Sequence, residues 1–508
     1  MNEENRRTTE EFSILGSSGT DYESAESEAF HQDLNILQVM DKLAAKWGRP
    51  VRRFFLYMPN TREEEAFRRA VYGDVKKEAV YDALISYTKN LAMVDGLRAE
   101  KEKVNDPLQK AVWRLREEDA WCNTYEELEQ ALSASELTSD GMQQFLKVLR
   151  EVLGSDSYRS MRGKTGKVLG EIRGLRFIIT YDKDRISVTP GEIPGEGAYE
   201  EWLDGIAGGE STQLQNPFFA DTAVSDLERT CIEMLKKRKP EFFKGLKEFA
   251  ESDGDYEVPV LKRFEQEILF YLSYCTLQRD LERAGFVFAT PDTDDSKRME
   301  AKGLYDLALA VTSLADGRKV VSNDFRYDAG ERFFVLTGPN QGGKTTFARS
   351  LGQLVYLCKM GLDVPAESAN VPFFPGLQSH FSVEESVQSG RGKLMEELTR
   401  LAPMMRDRKR GTFVVINELF TTAANYDAQI MGKRVLNHFI ELGCMGIYVT
   451  HLKELADEAS GVVSLRAMLD ENGIQTFEIK RGAAEDIACA ANQVNKYRLT
   501  YEQLKERL

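Results

Sequence analysis

The sequence predicts a mostly α-helical region followed by an α/β domain with a mainly parallel sheet. From residue 33 to 153, apolar residues such as Leu34, Leu37 and Met40 recur at helical spacing, with charged residues between them. After about Asp292, short β-branched runs alternate with helical segments, which is typical of a parallel sheet covered by helices. The 508 residues are enough for about three structural units.

Changes in composition along the chain predict three regions. Residues 1–30 are rich in Glu, Ser, Thr and Asp, which predicts an acidic flexible tail. Residues 31–290 predict the helical domain, with a β-hairpin near 176–189 where two β-rich runs flank a polar turn. Residues 291–508 predict the α/β domain.

Composition and charge exclude several classes of protein. The chain is 42% hydrophobic and 29% charged, so it can build a large core. It contains no apolar run of the roughly 18 residues that a membrane span needs, and its start does not resemble a secretion signal. Its six cysteines lie far apart, which is typical of a reduced, cytoplasmic protein. A net charge of -15 excludes a broadly basic protein that coats nucleic acid.

The strongest motif is a glycine-rich loop between a predicted strand and a predicted helix. It follows the apolar run 333–336 and satisfies the phosphate-loop pattern G-x-x-x-x-G-K-[ST]. Backbone N–H groups of such a loop bind phosphate oxygens, the lysine reaches the β- and γ-phosphates, and the hydroxyl after it binds Mg²⁺. The predicted ATP-binding residues of this loop are Gly338, Pro339, Asn340, Gln341, Gly342, Gly343, Lys344, Thr345 and Thr346.

A second motif stands at the end of a predicted buried strand, residues 412–416. Asn417 and Glu418 follow this strand, and ligands of open α/β sheets collect at the carboxyl ends of strands. A carboxylate there can polarise the water that attacks the γ-phosphate, so Glu418 is the predicted general base. Asn417 is predicted to support Mg²⁺ together with Thr345. The Asn carbonyl lacks the negative charge of an Asp, which predicts weaker Mg²⁺ binding and slower turnover.

A third strand, 446–449, is followed by His451. An imidazole at this strand end could donate a hydrogen bond to the γ-phosphate, and we predict that His451 senses this group. The predicted catalytic residues are therefore Lys344, Glu418 and His451.

These motifs carry a family resemblance. The ordered set GPNQGGKT, VPA, SGRGKLMEEL, NELFTTAANYDA and THLKEL resembles the ATPase domain of the MutS mismatch-repair family. The resemblance implies a P-loop, ABC-type fold for residues 291–508. It is weaker upstream, where the helices up to Arg283 are similar to the core and lever region of that family.

The resemblance also implies a homodimer with composite ATP sites. In the family, one protomer supplies the phosphate loop and its partner supplies a signature segment in trans. The matching segment here is Ser389, Gly390, Arg391, Gly392 and Lys393. The family usually has Ser where Gly392 stands, so Lys393 or Ser389 would replace that contact. Near the adenine, Asn323 and Phe477 match family positions, whereas Val320 stands where an aromatic residue is expected.

The resemblance leads to a functional expectation. It implies a dimeric ATPase that uses ATP and Mg²⁺ to move helical arms on nucleic acid, most simply double-stranded or branched DNA, in DNA repair or recombination. We expect no mismatch-reading domain, because the residues before Asp33 are too few to form one, and no large DNA clamp, because only the short turn from Asp253 to Tyr256 separates the two predicted long helices. Two alternatives stay open: an RNA- or ribosome-associated ATPase, and a nucleotide-gated scaffold with little turnover.

Overall fold

The computed structural model falls into two compact units. It describes residues 12–16, 22, 26–175, 177–182, 185–190, 226–251, 258–294, 298–382, 392–407, 409–456, 460–471, 473–483 and 505. One unit comprises Met1–Lys76, Thr138–Met142 and Arg263–Leu508, and the other comprises Lys77–Leu137 and Gln143–Lys262. These limits differ from the predicted ranges 31–290 and 291–508. Residues before 76 group with the α/β domain because they pack on it, as when Tyr356 donates a hydrogen bond to the Phe55 carbonyl.

The first unit is built on a mainly parallel sheet, as predicted. Its six strands are β5 (Phe333–Thr337), β7 (Leu377–Phe381), β8 (Phe413–Asn417), β9 (Met445–Val449), β10 (Val462–Leu469) and β11 (Gln475–Arg481). Their order in the sheet is β11-β10-β5-β9-β8-β7, and β11 alone pairs antiparallel, with β10. Strands β5, β8 and β9 are buried at every residue, which explains their continuous apolar sequences.

Helices cover this sheet, and a small antiparallel sheet of order β4-β3-β6 accompanies it. The small sheet consists of β3 (Met299–Leu304), β4 (Asn323–Tyr327) and β6 (Ser368–Asn370). The helices are α1 (Ala29–Asp33), α2 (Ile36–Trp47), α3 (Val51–Leu56), α4 (Arg62–Val75), α11 (Pro259–Arg283, from residue 263 onwards), α12 (Leu307–Asp316), α13 (Lys344–Lys359), α14 (Lys393–Arg406) and α15 (Asn425–Glu441). Apolar residues of α14 and α15, including Leu401 and Phe439, share one buried cluster with Val414 and Ile416 of β8.

The second unit is mostly helical. Its helices are α5 (Glu78–Lys103), α6 (Pro107–Ala134), α7 (Asp140–Leu153, from residue 143 onwards), α8 (Asp156–Arg173), α9 (Asp226–Arg238) and α10 (Pro240–Glu251). Helix α6 begins at Pro107, where the Asp106 carboxylate accepts a hydrogen bond from the Gln109 N–H and proline occupies the first turn. Strands β1 (Phe177–Asp182) and β2 (Arg185–Pro190) pair antiparallel at the place where the hairpin is predicted.

Part of the predicted flexible tail is buried. Ile14 and Leu15 are fully buried, and both carboxylate oxygens of Glu267 on α11 accept hydrogen bonds from this segment. The donors are the Ser13 hydroxyl and the Ile14 N–H, each at 2.9 Å. The prediction was wrong for Ser13–Leu15, because the apolar pair Ile14-Leu15 gains more from burial than the acidic composition around it suggests.

Glu267 makes the stability of this unit depend on pH. Burial raises the pKa of its carboxyl from 4.5 to about 7, although the hydrogen bonds from Ser13 and Ile14 oppose the shift. A raised pKa means that the folded state binds the proton more tightly, so this contribution to stability is complete below about pH 4.5 and is lost as the pH rises through about 7. Between about pH 5 and about pH 8, we expect the unfolding free energy of the wild type to fall by on the order of 2 kcal/mol relative to Glu267→Gln. Urea unfolding of both proteins measures this difference, and equal pH slopes would contradict it.

The described part of the chain contains buried thiols and no candidate membrane span. Cys122, Cys231, Cys275, Cys358 and Cys444 are each free and buried. Burial raises the pKa of the Cys122 thiol to about 11, which makes it unreactive near neutral pH. Within the described ranges, no helix is both long enough and apolar enough to cross a bilayer.

Candidate active site

The glycine-rich loop joins the buried strand β5 to the amino terminus of α13. Gly338 has a φ of 134° and Gly343 a φ of 85°, both in the region that favours glycine. A Cβ on Gly338 would also lie 3.0 Å from the Cβ of Ala467. The glycines therefore let the loop turn tightly against β10. The first N–H groups of α13 have no partner within the helix, which makes this turn suitable for an anion.

Lys344 is the first residue of α13, and its side chain lies inside the loop. Its ammonium donates hydrogen bonds to the carbonyl oxygens of Gly338 at 2.9 Å and Pro339 at 2.8 Å. The residue is 4% exposed. A positive charge is thus held against the backbone of the loop, at the position where the sequence predicts phosphate.

Asn417 is next to Thr345, as the predicted metal site requires. The Thr345 hydroxyl donates a hydrogen bond to the Asn417 side-chain oxygen, at 3.1 Å. Asn417 ends β8 and pairs in register with Val449 of β9, so the loops after both strands leave from one edge of the sheet. Oxygen atoms are the ligands that Mg²⁺ prefers, and the two side chains fit this ion if phosphate and water complete its coordination. In the described chain, no three His, Cys, Asp or Glu side chains form a metal cluster.

Glu418 and His451 approach each other at the same edge. Glu418 Oε1 lies 3.3 Å from His451 Nε2, and their side chains are 28% and 49% exposed. The Glu418 backbone has a φ of 54°, an uncommon conformation for a residue with a side chain, and its N–H donates to the Val449 carbonyl. The carboxylate is thus partly shielded and contacts the predicted γ-phosphate sensor.

A cavity of about 440 Å³ opens beside the loop. Glu418 and Lys344 both line it, which places the predicted base and the predicted phosphate ligand on one surface. The other predicted residues in its wall are Asn323, Asn340, Gln341, Gly343, Thr345, Thr346 and Phe477. Gly338, Pro339, Gly342, Asn417 and His451 are not among the lining residues.

Phe477 lies on the far side of the loop, on β11. Its ring is 3.3 Å from the position that a Cβ would take on Gly343, and the residue is 45% exposed. Asn323 holds the Phe477 backbone: its amide nitrogen donates to the Phe477 carbonyl at 3.2 Å, and its oxygen accepts from the Ile479 N–H at 2.7 Å. The Asn323 amide therefore contacts the neighbouring strand, while the Phe477 ring faces the cavity as a candidate stacking surface.

Sequence reasoning missed several residues of the cavity wall. Asp306 caps α12 by accepting a hydrogen bond from the Leu309 N–H, and its carboxylate also accepts one from Gln353. Burial raises the pKa of this carboxyl. An Asp just before an apolar helical run is a recognisable cap signal, but its nearness to the cavity depends on the tertiary fold. Other lining residues outside the prediction are Leu304, Tyr305, Leu309, Lys319, Val321, Phe347 and Ser350.

The predicted trans signature is only partly described. Ser389, Gly390 and Arg391 lie outside the described residues. Gly392 is the residue before α14, and Lys393 is the first residue of that helix. Gly392 and Lys393 thus stand at the start of α14, whose Leu401 shares a buried cluster with Val414 and Ile416 of β8.

Comparisons with known proteins agree on one family. Residues 334–486 match the family described as MutS domain V. The DNA mismatch repair protein MSH6 of Arabidopsis thaliana is 30% identical over 211 residues, which are 41% of this chain and 16% of that protein. The DNA mismatch repair protein MutS of Sorangium cellulosum is 32% identical over 158 residues, or 30% of this chain and 17% of that protein. The DNA mismatch repair protein MutS of Lactococcus lactis is 26% identical over 211 residues, which are 40% of this chain and 25% of that protein.

The similarity covers only part of this chain and a smaller part of each relative. The chain spans a quarter or less of the length of these three relatives. The matched segment begins in β5 and includes the phosphate loop, Asn417, Glu418, His451 and Phe477. Over these residues, the α/β domain of this chain is similar to domain V of the MutS family.

Proposed function

We propose that this protein is a MutS-like ATPase that binds ATP with Mg²⁺ and hydrolyses it. The observation that supports this most strongly is the cavity in which the Lys344 loop and the Glu418 carboxylate share one wall. The domain V match and the mismatch-repair relatives point to the same reaction.

The residues would divide the chemistry as follows. The loop N–H groups and Lys344 bind the β- and γ-phosphates, while Thr345 and Asn417 hold Mg²⁺, which neutralises phosphate charge when bound. Glu418 polarises a water molecule whose oxygen attacks the γ-phosphorus. The bond from this phosphorus to the bridging oxygen breaks, the Glu418 carboxylate takes a proton from the attacking water, and ADP and inorganic phosphate result. His451, 3.3 Å from Glu418, orients the acid and contacts the γ-phosphate.

We further propose that the chain works as a homodimer on double-stranded or branched DNA. The family resemblance supports composite sites in which Gly392 and Lys393 of one protomer face the nucleotide of the other. ATP turnover would then move the helical arms of the second unit on the DNA, in repair or recombination, in the cytoplasm.

A turnover assay separates this function from the two alternatives. Phosphate release by the full chain is measured alone, with linear duplex, with branched DNA and with ribosomes. We expect stimulation by DNA, and by the branched form at least as strongly. Stimulation by ribosomes only would favour an RNA-associated ATPase, and a near-zero rate under every condition would favour a nucleotide-gated scaffold. DNA affinity should also fall steeply with salt, because phosphate contacts release bound counterions.

A further inference from the structure

Glu397 connects α14 to the loop that carries Glu418. Its side chain is buried, at 3% exposure, and one carboxylate oxygen accepts a hydrogen bond from the Phe420 N–H at 3.0 Å. Phe420 is two residues beyond Glu418 and is itself buried. The hydrogen bond therefore fixes the backbone on the carboxyl-terminal side of the predicted base.

The loop needs this support because its backbone is strained. Glu418 and Phe420 have φ values of 54° and 64°, a left-handed conformation that is unfavourable for a residue with a side chain. Such a conformation persists only when neighbouring groups hold it. On one side the Glu418 N–H donates to the Val449 carbonyl of β9, and on the other the Phe420 N–H donates to Glu397.

Helix α14 is itself held in place one turn further along. Arg400 forms an ion pair with Asp33, at the end of α1, and donates a hydrogen bond to the Phe381 carbonyl at 3.0 Å. The Asp33 carboxylate, on a residue 8% exposed, also accepts one from the Ser379 hydroxyl at 2.6 Å. Since Glu397 and Arg400 are three residues apart on one helix, the Asp33 contact fixes the position from which Glu397 reaches the loop.

We propose that Glu397 is a positioning residue for Glu418, with Asp33 and Arg400 as the anchor of its helix. The inference rests on the proposed ATPase function. Glu397 acts on the backbone beyond Glu418 and sets where the carboxylate stands relative to the attacking water. Because α14 begins directly after Gly392, the same hydrogen bond links the helix that follows Gly392 to the loop of the predicted general base.

Two substitutions at Glu397 separate positioning from packing. Glu397→Ala removes the acceptor, and we expect kcat to fall by about 10- to 100-fold because the acid is misplaced. The Kd for a nonhydrolysable ATP analogue should change by less than about twofold, since the phosphate loop is untouched. Glu397→Gln keeps an oxygen that accepts from the Phe420 N–H, so it should retain most of the wild-type kcat. Thr399→Ala, at an exposed position on the same helix, is the control and should behave like the wild type.

Hydrogen exchange gives a readout that does not depend on turnover. Amides of peptides covering 417–423 should exchange faster in Glu397→Ala than in the wild type. If Glu397→Ala does not fold, Asp33→Asn takes its place and should lower kcat with unchanged analogue affinity. A kcat within about twofold of the wild type, or a Gln variant as slow as the Ala variant, would overturn the inference. A wild-type chain without any turnover would instead overturn the proposed function.

Discussion

Lys344→Ala is expected to abolish ATP binding. The ammonium lies within the phosphate loop, 2.9 Å from the Gly338 carbonyl and 2.8 Å from the Pro339 carbonyl, and Lys344 is 4% exposed. Its loss would remove the main positive charge that faces the β- and γ-phosphates and would leave their charge poorly compensated. The lysine and the bound phosphates would form a buried charged pair, and truncating one partner of such a pair costs several kcal/mol. We therefore expect roughly a 100-fold or greater loss of affinity for ATP.

Calorimetry with a nonhydrolysable ATP analogue measures this effect directly. Lys244→Ala is a suitable control, because Lys244 is an exposed lysine of α10 in the other unit, with a side chain 68% exposed. The control should bind as the wild type does. Unchanged affinity in Lys344→Ala would argue against the phosphate-loop assignment, whereas a matching loss in Lys244→Ala would indicate a nonspecific effect of lowering the positive charge.

Glu418→Gln is expected to keep ATP binding and lose turnover. Gln has the size of Glu, so it can occupy the same space beside His451, but its neutral amide cannot take the proton of the attacking water. General-base catalysis typically contributes about 10²- to 10⁴-fold, and we expect kcat to fall within that range. Analogue affinity should stay within about threefold of the wild type, because Glu418 acts on the water rather than on the phosphates.

Phosphate release under single-turnover conditions tests this prediction. Glu454→Gln provides the matched control, because Glu454 is an exposed glutamate in the 3₁₀ turn Lys453–Ala456 that follows His451. Normal hydrolysis by Glu418→Gln would remove Glu418 from the role of general base. Loss of analogue binding in that variant would instead assign Glu418 to nucleotide affinity.

The strands and their ends could be predicted because their signals are local. The buried runs that became β5, β8 and β9 are continuous and apolar, and the polar residues that end them are visible in the sequence. Parallel strands bring their carboxyl ends to one edge of a sheet, so the meeting of Thr345, Glu418 and His451 follows from the pattern.

The contacts of Asn323 and of the amino-terminal segment could not be predicted in the same way. The Asn323 amide contacts the backbone of Phe477 and Ile479, more than 150 residues away along the chain. Ser13 and Ile14 form hydrogen bonds with Glu267 across a still longer separation, 254 and 253 residues along the chain. Nothing in the local composition of either segment indicates its partner, because hydrogen bonds between distant segments depend on how complete helices and sheets pack.

The sequence alone therefore determined the glycine-rich loop, the parallel sheet and the edge at which the predicted catalytic side chains collect. Only the tertiary structure decided which partners the buried carboxylates have. Glu397 accepts a hydrogen bond from the Phe420 N–H, Asp33 forms an ion pair with Arg400, and Glu267 accepts hydrogen bonds from Ser13 and Ile14. The physical reason is the distance along the chain over which each kind of interaction acts. Periodicity and glycine placement act within a few residues, whereas buried carboxylates must find donors wherever packing brings them.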